Sequence, residues 1–207
     1  MKRMLPIVLC LCLCLCLASA AAEQVGSFRE EKVCRYTAPN GQVLYFTTEA
    51  ETPFVRLEDV NFDGVEDIVI VTAVGATNAF YEFFVWDGSQ YVWAEHWQME
   101  YGLCNYQLDP RGYVVCYGHN GLAGALFEEI IFCWEGTALR PLRRMVSEEK
   151  TEYAFNDDTY TLVTYNNVLS IRMSDDRTNE EWYAEATLEQ FTAGYYDTLQ
   201  EVLWQGL

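Results

Sequence analysis

Nine residues carry the most legible chemistry in this chain: Asp59-Val60-Asn61-Phe62-Asp63-Gly64-Val65-Glu66-Asp67. Oxygen donors alternate with spacers. Asp59, Asn61 and Asp63 stand at the first, third and fifth positions. Gly64 follows where a short loop must turn sharply, the Val65 carbonyl falls at the seventh position and the Asp67 carboxylate at the ninth. Calcium is a hard ion that collects six to eight oxygens, and a short loop can supply them only with this alternation and this turn. Asp59, Asn61, Asp63, Val65 and Asp67 are therefore the expected ligands of a Ca2+ ion. An EF-hand would place a bidentate glutamate at position twelve. Ile70 stands there instead, and the flanks read as strands, so the loop is not an EF-hand. Held together, its carboxylates repel one another unless a cation neutralises them, which makes a structural role for the metal the expected one.

The elements around the loop must hold it. Phe54 to Leu57 leads in. Ile68 to Val74 leaves as a nearly unbroken apolar, β-branched run, the pattern of a strand buried on both faces. Val33–Tyr36 and Val43–Phe46 flank Pro39-Asn40-Gly41, and Asn-Gly is a strong hairpin signal. Phe80–Trp86, the turn Asp87–Gln90 and Tyr91–Trp97 make a second pair. Tyr113–Tyr117 and Leu126–Trp134 follow, separated by Gly118–Gly124, which reads as a loop. Strands punctuated by turns predict a mainly β fold of antiparallel, twisted sheets. Ser147–Thr151 reads as a charged connector. Thr159–Tyr165, Asn166-Asn167 and Val168–Met173 read as a hairpin, and Asp175–Glu181 as a polar exposed stretch. From Thr187, apolar residues at three- and four-residue intervals predict a C-terminal helix, capped by Thr187 with Gln190 and weakened by Gly194.

The pattern D-x-N-x-D-G-x-x-D running into an apolar strand resembles the calcium loops of FG-GAP repeats, as in the propellers of integrin α-chains. Asp59 to Val71, Gly75, Asn78, Tyr81, the Trp86-Asp87-Gly88 turn and Gly118 to Glu129 together resemble a family of small exported bacterial proteins with such a loop. One branch includes periplasmic inhibitors of peptidoglycan-cleaving enzymes. The resemblance spans about Phe54 to Leu142. It implies a partial-propeller-like arrangement of sheets around one calcium loop, and a non-enzymatic binding module with inhibitor-like action toward a cell-wall hydrolase.

Lys2 and Arg3, an apolar run from Leu5 to Leu17 and Ala18-Ser19-Ala20 read as a signal peptide over residues 1–20. The expected location is secreted or extracytoplasmic, in the periplasm or at the cell surface, with no membrane insertion after cleavage. Residues 21–145 then form the calcium-loop β domain, and residues 146–207 a hairpin and helix packed on the same domain. The chain carries 31 acidic against 13 basic side chains, a formal charge of −18. Such a balance argues against nucleic acid, which needs a basic face, and would draw in a cationic protein partner; a cell-wall component is the other partner expected, from the resemblance and the aromatic residues. Cys34, Cys104, Cys116 and Cys133 lie beyond the signal segment. In an exported protein they permit two disulfides, Cys104–Cys116 across the Asp109–Gly112 turn with Cys34–Cys133 as the first pairing, or else buried free thiols. No CxxC pair is present to suggest zinc.

Other candidates are weaker. Tyr91, Trp93 and Trp97 on one strand face could form a carbohydrate platform, the alternative function for this chain, although aromatic rows on strands usually fill cores. Glu95, or Glu128 with Glu129, would serve a glycoside hydrolase only as a pair across a cleft, which nothing in the spacing supplies. No catalytic residue is assigned. Ser147 and Lys150 share SxxK spacing without any accompanying motif. Arg140, Arg143 and Arg144 form the basic cluster of an acidic chain and are expected to pair with neighbouring acids.

Overall fold

The computed structural model describes residues 32–51, 54–96, 102–156 and 159–207. The signal segment, the arm from Ala21 to Glu31 and Trp97 lie outside them. The fold is mainly β, built as three sheets and a helical C-terminus. Strands β1 (Lys32–Thr37) and β2 (Val43–Thr48) form the expected hairpin, with Gly41 turning at φ +86°. A five-stranded sheet orders β3 (Val55–Glu58), β4 (Asp67–Val74), β5 (Ala79–Trp86) and β6 (Tyr91–Trp93), with β8 (Leu103–Cys104) also on β5. The third sheet runs from β9 (Gln107–Asp109) through β10 (Tyr113–Gly121), β11 (Leu126–Glu135), β12 (Ala138–Asn156) and β13 (Thr159–Asp175) to β14 (Glu180–Thr187). Strand β7 (Glu95–His96) completes it, pairing with the start of β12 in parallel; every other pairing is antiparallel.

The layers follow from strand alternation. On β4, Ile68 and Ile70 face the β1–β2 hairpin, while Val69 faces the seven-stranded sheet. All three are buried, as the apolar run from Ile68 predicts. On β11, Ile130 and Phe132 meet Val69, Phe83 and Val85 of the five-stranded sheet. Phe127 and Ile131 point the other way, onto Leu199 and Leu203 of the C-terminal helix. Hairpin, five-stranded sheet, seven-stranded sheet and helix thus stack as successive layers. The sheets close into neither a barrel nor a propeller.

Several boundaries depart from the sequence reading. Tyr91–Trp97 is not one strand. It breaks at Ala94, which is fully buried, and the chain passes from β5 to β12. Gly118–Gly124 is not simply a loop: β10 continues to Gly121 through a bulge after His119, and only Leu122–Gly124 leaves it as a 3-10 turn. The Asn78 side chain permits this. Its Nδ2 donates to His119 O at 3.0 Å and its Oδ1 accepts from His119 N at 2.9 Å, so one amide serves as a peptide neighbour. Ser147–Thr151 is the middle of β12, and Asn166-Asn167 is no hairpin turn. It lies within β13, where Asn167 takes φ +60° opposite a shift in register at Glu149–Thr151. The stretch after Asp175 holds a short turn and then β14, the outer strand of the sheet, which carries exposed Trp182 and Tyr183.

The C-terminus is helical as read. Thr187 Oγ1 accepts from Gln190 N at 3.1 Å and Gln190 Oε1 from Thr187 N at 2.8 Å, a capping box that starts Leu188–Gln190. Gly194, at φ +109°, interrupts the helix within a π-helical turn over Phe191–Tyr195, after which Tyr196–Trp204 is regular α-helix. Among the described residues, no helix is long and apolar enough to cross a membrane.

Candidate functional site

The acidic loop joins β3 to β4 and folds around its own side chains. Asp59 accepts the N–H groups of Asp63 at 3.1 Å and of Gly64 at 2.9 Å, one on each carboxylate oxygen. Asn61 Oδ1 also accepts from Asp63 N, and Asp63 Oδ1 accepts from Val65 N at 2.8 Å. Gly64 turns at φ +85°, a conformation that the missing Cβ makes inexpensive. Asp67 closes the loop differently. It is fully buried, and its two oxygens accept from Val60 N at 3.1 Å and Trp86 N at 2.9 Å. Burial lifts its carboxyl to about 6, and Asp63 adds to the rise, while the N–H donors of Trp86 and Val60 oppose it. Trp134 Nε1 donates to Val60 O at 2.8 Å and anchors the loop to the seven-stranded sheet.

The donor set suits a hard cation. Aspartate oxygens that accept one N–H each retain a second lone pair. No lysine or arginine occurs between Asp59 and Asp67, and among the described residues none of the three aspartates makes an ion pair. Nor do the described residues hold a group of three or more His, Cys, Asp or Glu side chains converged as metal ligands. A calcium ion here would therefore rest on Asn61 and the Val65 carbonyl together with the carboxylates. Beside the loop, Asn61, Asp63, Val65, Trp86, Asp87 and Thr137 line an open cleft of about 530 Å³.

A second cluster links Asn78, which is part of the family resemblance, to Asn105, which is not. Asn105, at φ +41°, accepts Ala79 N on Oδ1 at 2.8 Å. Its Nδ2 donates to Asn78 Oδ1 at 3.0 Å and to Tyr117 O at 2.9 Å. Asn78 and Asn105 thereby join the beginning of β5 to β10, across the two large sheets.

The remaining candidates disperse. Trp93 is 48 % exposed, and its indole N–H donates to Glu82 Oε2, which also lies 3.0 Å from His96 Nε2. Tyr91 is buried, so the aromatic face does not continue through it. Glu128 and Glu129 are neighbours on β11 and point to opposite sides of the sheet, so they cannot act across one cleft. Glu128 pairs with Arg144, and Glu129 is buried beneath the helix with Tyr196 and Gln200. Ser147 is buried, and Lys150 is taken by Glu152 at 3.0 Å and Glu185 at 2.9 Å. The arginines are paired as expected: Arg140 with Glu95 and Glu135, each at 3.6 Å, and Arg143 with Asp175 at 2.8 Å. The four described cysteines are free thiols. Cys104 and Cys116 share the lining of a cavity of about 110 Å³, and the Cys104 backbone N–H faces the Cys116 sulfur.

Sequence reasoning passed over Glu129 as a buried acid, and it placed Asp175 in an exposed stretch although that residue is buried. Two adjacent glutamates in an otherwise apolar run, one of which must face inward, were the available signal for Glu129. Comparisons with family models, with curated proteins and with solved structures find no match.

Proposed function

We propose that this chain is an exported, calcium-stabilised, non-enzymatic binding module, whose partner is a cationic protein or a cell-wall component. The observation that carries the reading is the acidic loop itself: Asp59, Asn61 and Asp63 are drawn inward by their own backbone N–H groups, with the carboxylate of Asp67 buried at the loop's end and free of any basic side chain. Bound calcium would neutralise these carboxylates and clasp the loop to β4. Its contribution is architectural, because the ion would bind the folded chain and not the unfolded one. The resemblance to exported inhibitors supports an inhibitor-like action toward a cell-wall hydrolase. The formal charge of −18 supports attraction of a basic partner.

The test is capture from cell-wall and secreted fractions in calcium and in EGTA, with each captured hydrolase assayed for inhibition. Capture that EGTA abolishes, with inhibition of a recovered enzyme, supports the reading. A chain that captures nothing in either condition overturns it. A carbohydrate-binding reading keeps one observation in its favour, the exposed face of Trp93. Retention on insoluble peptidoglycan that Trp93→Ala abolishes would favour it over protein capture.

A further inference from the structure

A pocket of about 280 Å³ opens between β9, β10, β11 and the C-terminal helix. Glu129 lies in its wall, 3 % exposed. The Tyr196 hydroxyl donates to Glu129 Oε2 at 2.9 Å, and the Gln200 amide donates to the same oxygen. Oε1 receives no protein donor among the described residues. No lysine, arginine or histidine lines the pocket, whereas aromatic rings do: Tyr117, Tyr196 and Trp204. At the rim, Arg111 lays its guanidinium 3.9 Å from the Trp204 ring centroid, but its charge is taken by Asp109 at 2.8 and 3.1 Å. The pocket thus holds a buried acid, oriented by two donors, with one oxygen left over and no countercharge.

A buried carboxylate is costly unless a cation and hydrogen bonds offset its lost hydration. We propose that this pocket is a binding site for an alkylammonium group, that of a lysine side chain or of a small primary amine. Three features select this chemistry. The free Glu129 oxygen accepts one ammonium N–H as a charge-assisted bond. The aromatic lining, Tyr117 and Tyr196 above all, favours a cation and offers its alkyl stem apolar contact. The single available oxygen suits a point charge better than a guanidinium, whose fork is best met by two. The volume sits at the lower edge of the range for pockets that take whole small molecules, roughly 300–1,000 Å³, which fits one side chain. The site shares no residue with the acidic loop and lies on the helix side of the seven-stranded sheet, so it stands whether or not the loop holds calcium.

Titration calorimetry on the full chain tests the assignment, with Nα-acetyl-lysinamide, 1,5-diaminopentane and the uncharged isostere Nα-acetyl-norleucinamide as probes. At least one amine is expected to bind saturably, and the norleucine compound about ten-fold or more weakly. The preferred amine distinguishes a side chain of a partner from a free metabolite. Glu129→Gln should weaken amine binding by about ten-fold or more, and EGTA should leave it unchanged. No saturable binding of either amine, or equal binding of the norleucine compound, overturns the proposal. So does a folded Glu129→Gln variant with undiminished affinity. The lysine–norleucine comparison uses the unaltered chain and decides the matter even if that variant does not fold.

Discussion

Asp67 Oδ1 accepts the backbone N–H of Trp86 at 2.9 Å, and this bond ties the end of the acidic loop to the end of β5. The other Asp67 oxygen holds Val60 N, at the loop's beginning. One carboxylate therefore fixes both ends of the loop and couples it to the Trp86-Asp87-Gly88 turn, which borders the same cleft. Anything that binds the loop is thereby coupled to the end of β5, an interior strand of the five-stranded sheet.

Calcium is expected to raise the melting temperature. With a dissociation constant of about 0.1–1 mM, as extracellular modules show, 10 mM calcium would add about 1.4–2.7 kcal/mol, or roughly 3–10 °C for a domain of this size. Asp63→Ala should abolish the rise while leaving the EGTA melting point nearly unchanged, as read by differential scanning fluorimetry. An undiminished calcium response in that variant would remove the loop as the site.

Acid should weaken the C-terminal half through Asp175. This residue is 2 % exposed and accepts Arg177 Nη2 at 2.7 Å and Arg143 Nε at 2.8 Å. The two arginines hold its carboxyl far below the usual carboxylate range, against the opposing effect of burial. A depressed carboxyl stabilises the fold above its unfolded value of about 3.9, and that contribution is lost as pH falls toward the folded value. Arg143 also donates to Leu203 O and Gln205 O, at 2.6 and 2.8 Å, so the same cluster caps the C-terminal helix. Asp175→Asn should cost about 3 kcal/mol at pH 7. The gap between variant and parent, followed by urea melts, should narrow below about pH 4.

Asn105→Ala should be among the more damaging single substitutions outside the apolar core. It strands Ala79 N and Tyr117 O between the two large sheets. A loss of about 2–4 kcal/mol is expected in chemical denaturation. A loss under 1 kcal/mol would mean that water replaces the amide at both positions.

The Cys104 and Cys116 thiols should resist alkylation at neutral pH until the chain unfolds. Burial pushes Cys104 up to about 11, and Cys116 well above its ordinary value. Mass mapping of iodoacetamide adducts in buffer and in denaturant checks this; modification of either thiol in the folded chain at the rate seen in denaturant would refute it.

The parts of the fold that sequence reveals are those decided locally. Asn40-Gly41 sets the first hairpin. The apolar run after Asp67 marks a strand covered on both sides, and Thr187 with Gln190 marks the helix start. The misread parts were decided at a distance. Asn166-Asn167 has turn chemistry, but β12 runs past it and the two asparagines are absorbed as an irregularity in β13. The break at Ala94 exists because the next residues, Glu95 and His96, pair with Ala138 and Leu139 of β12, far along the chain, and no local signal marks that choice. Glu129 looks like any acid on a strand until Tyr196 and Gln200, which lie 67 and 71 residues further on, fold over it. The acidic loop was legible in composition and turn. The part played by Asp67 was not, since its partner Trp86 belongs to another strand.

Strand β14 ends the seven-stranded sheet with an open row of backbone donors and acceptors, and with Tyr183 67 % exposed. An edge of this kind invites a second chain to add a strand. Glu180, Glu181 and Glu185 stand along it. A neighbouring copy approaching edge to edge would bring the same three carboxylates against them. The same negative charge that argues against a nucleic-acid partner would also oppose growth of the sheet across molecules, and the protein's solubility should depend on those glutamates staying ionised.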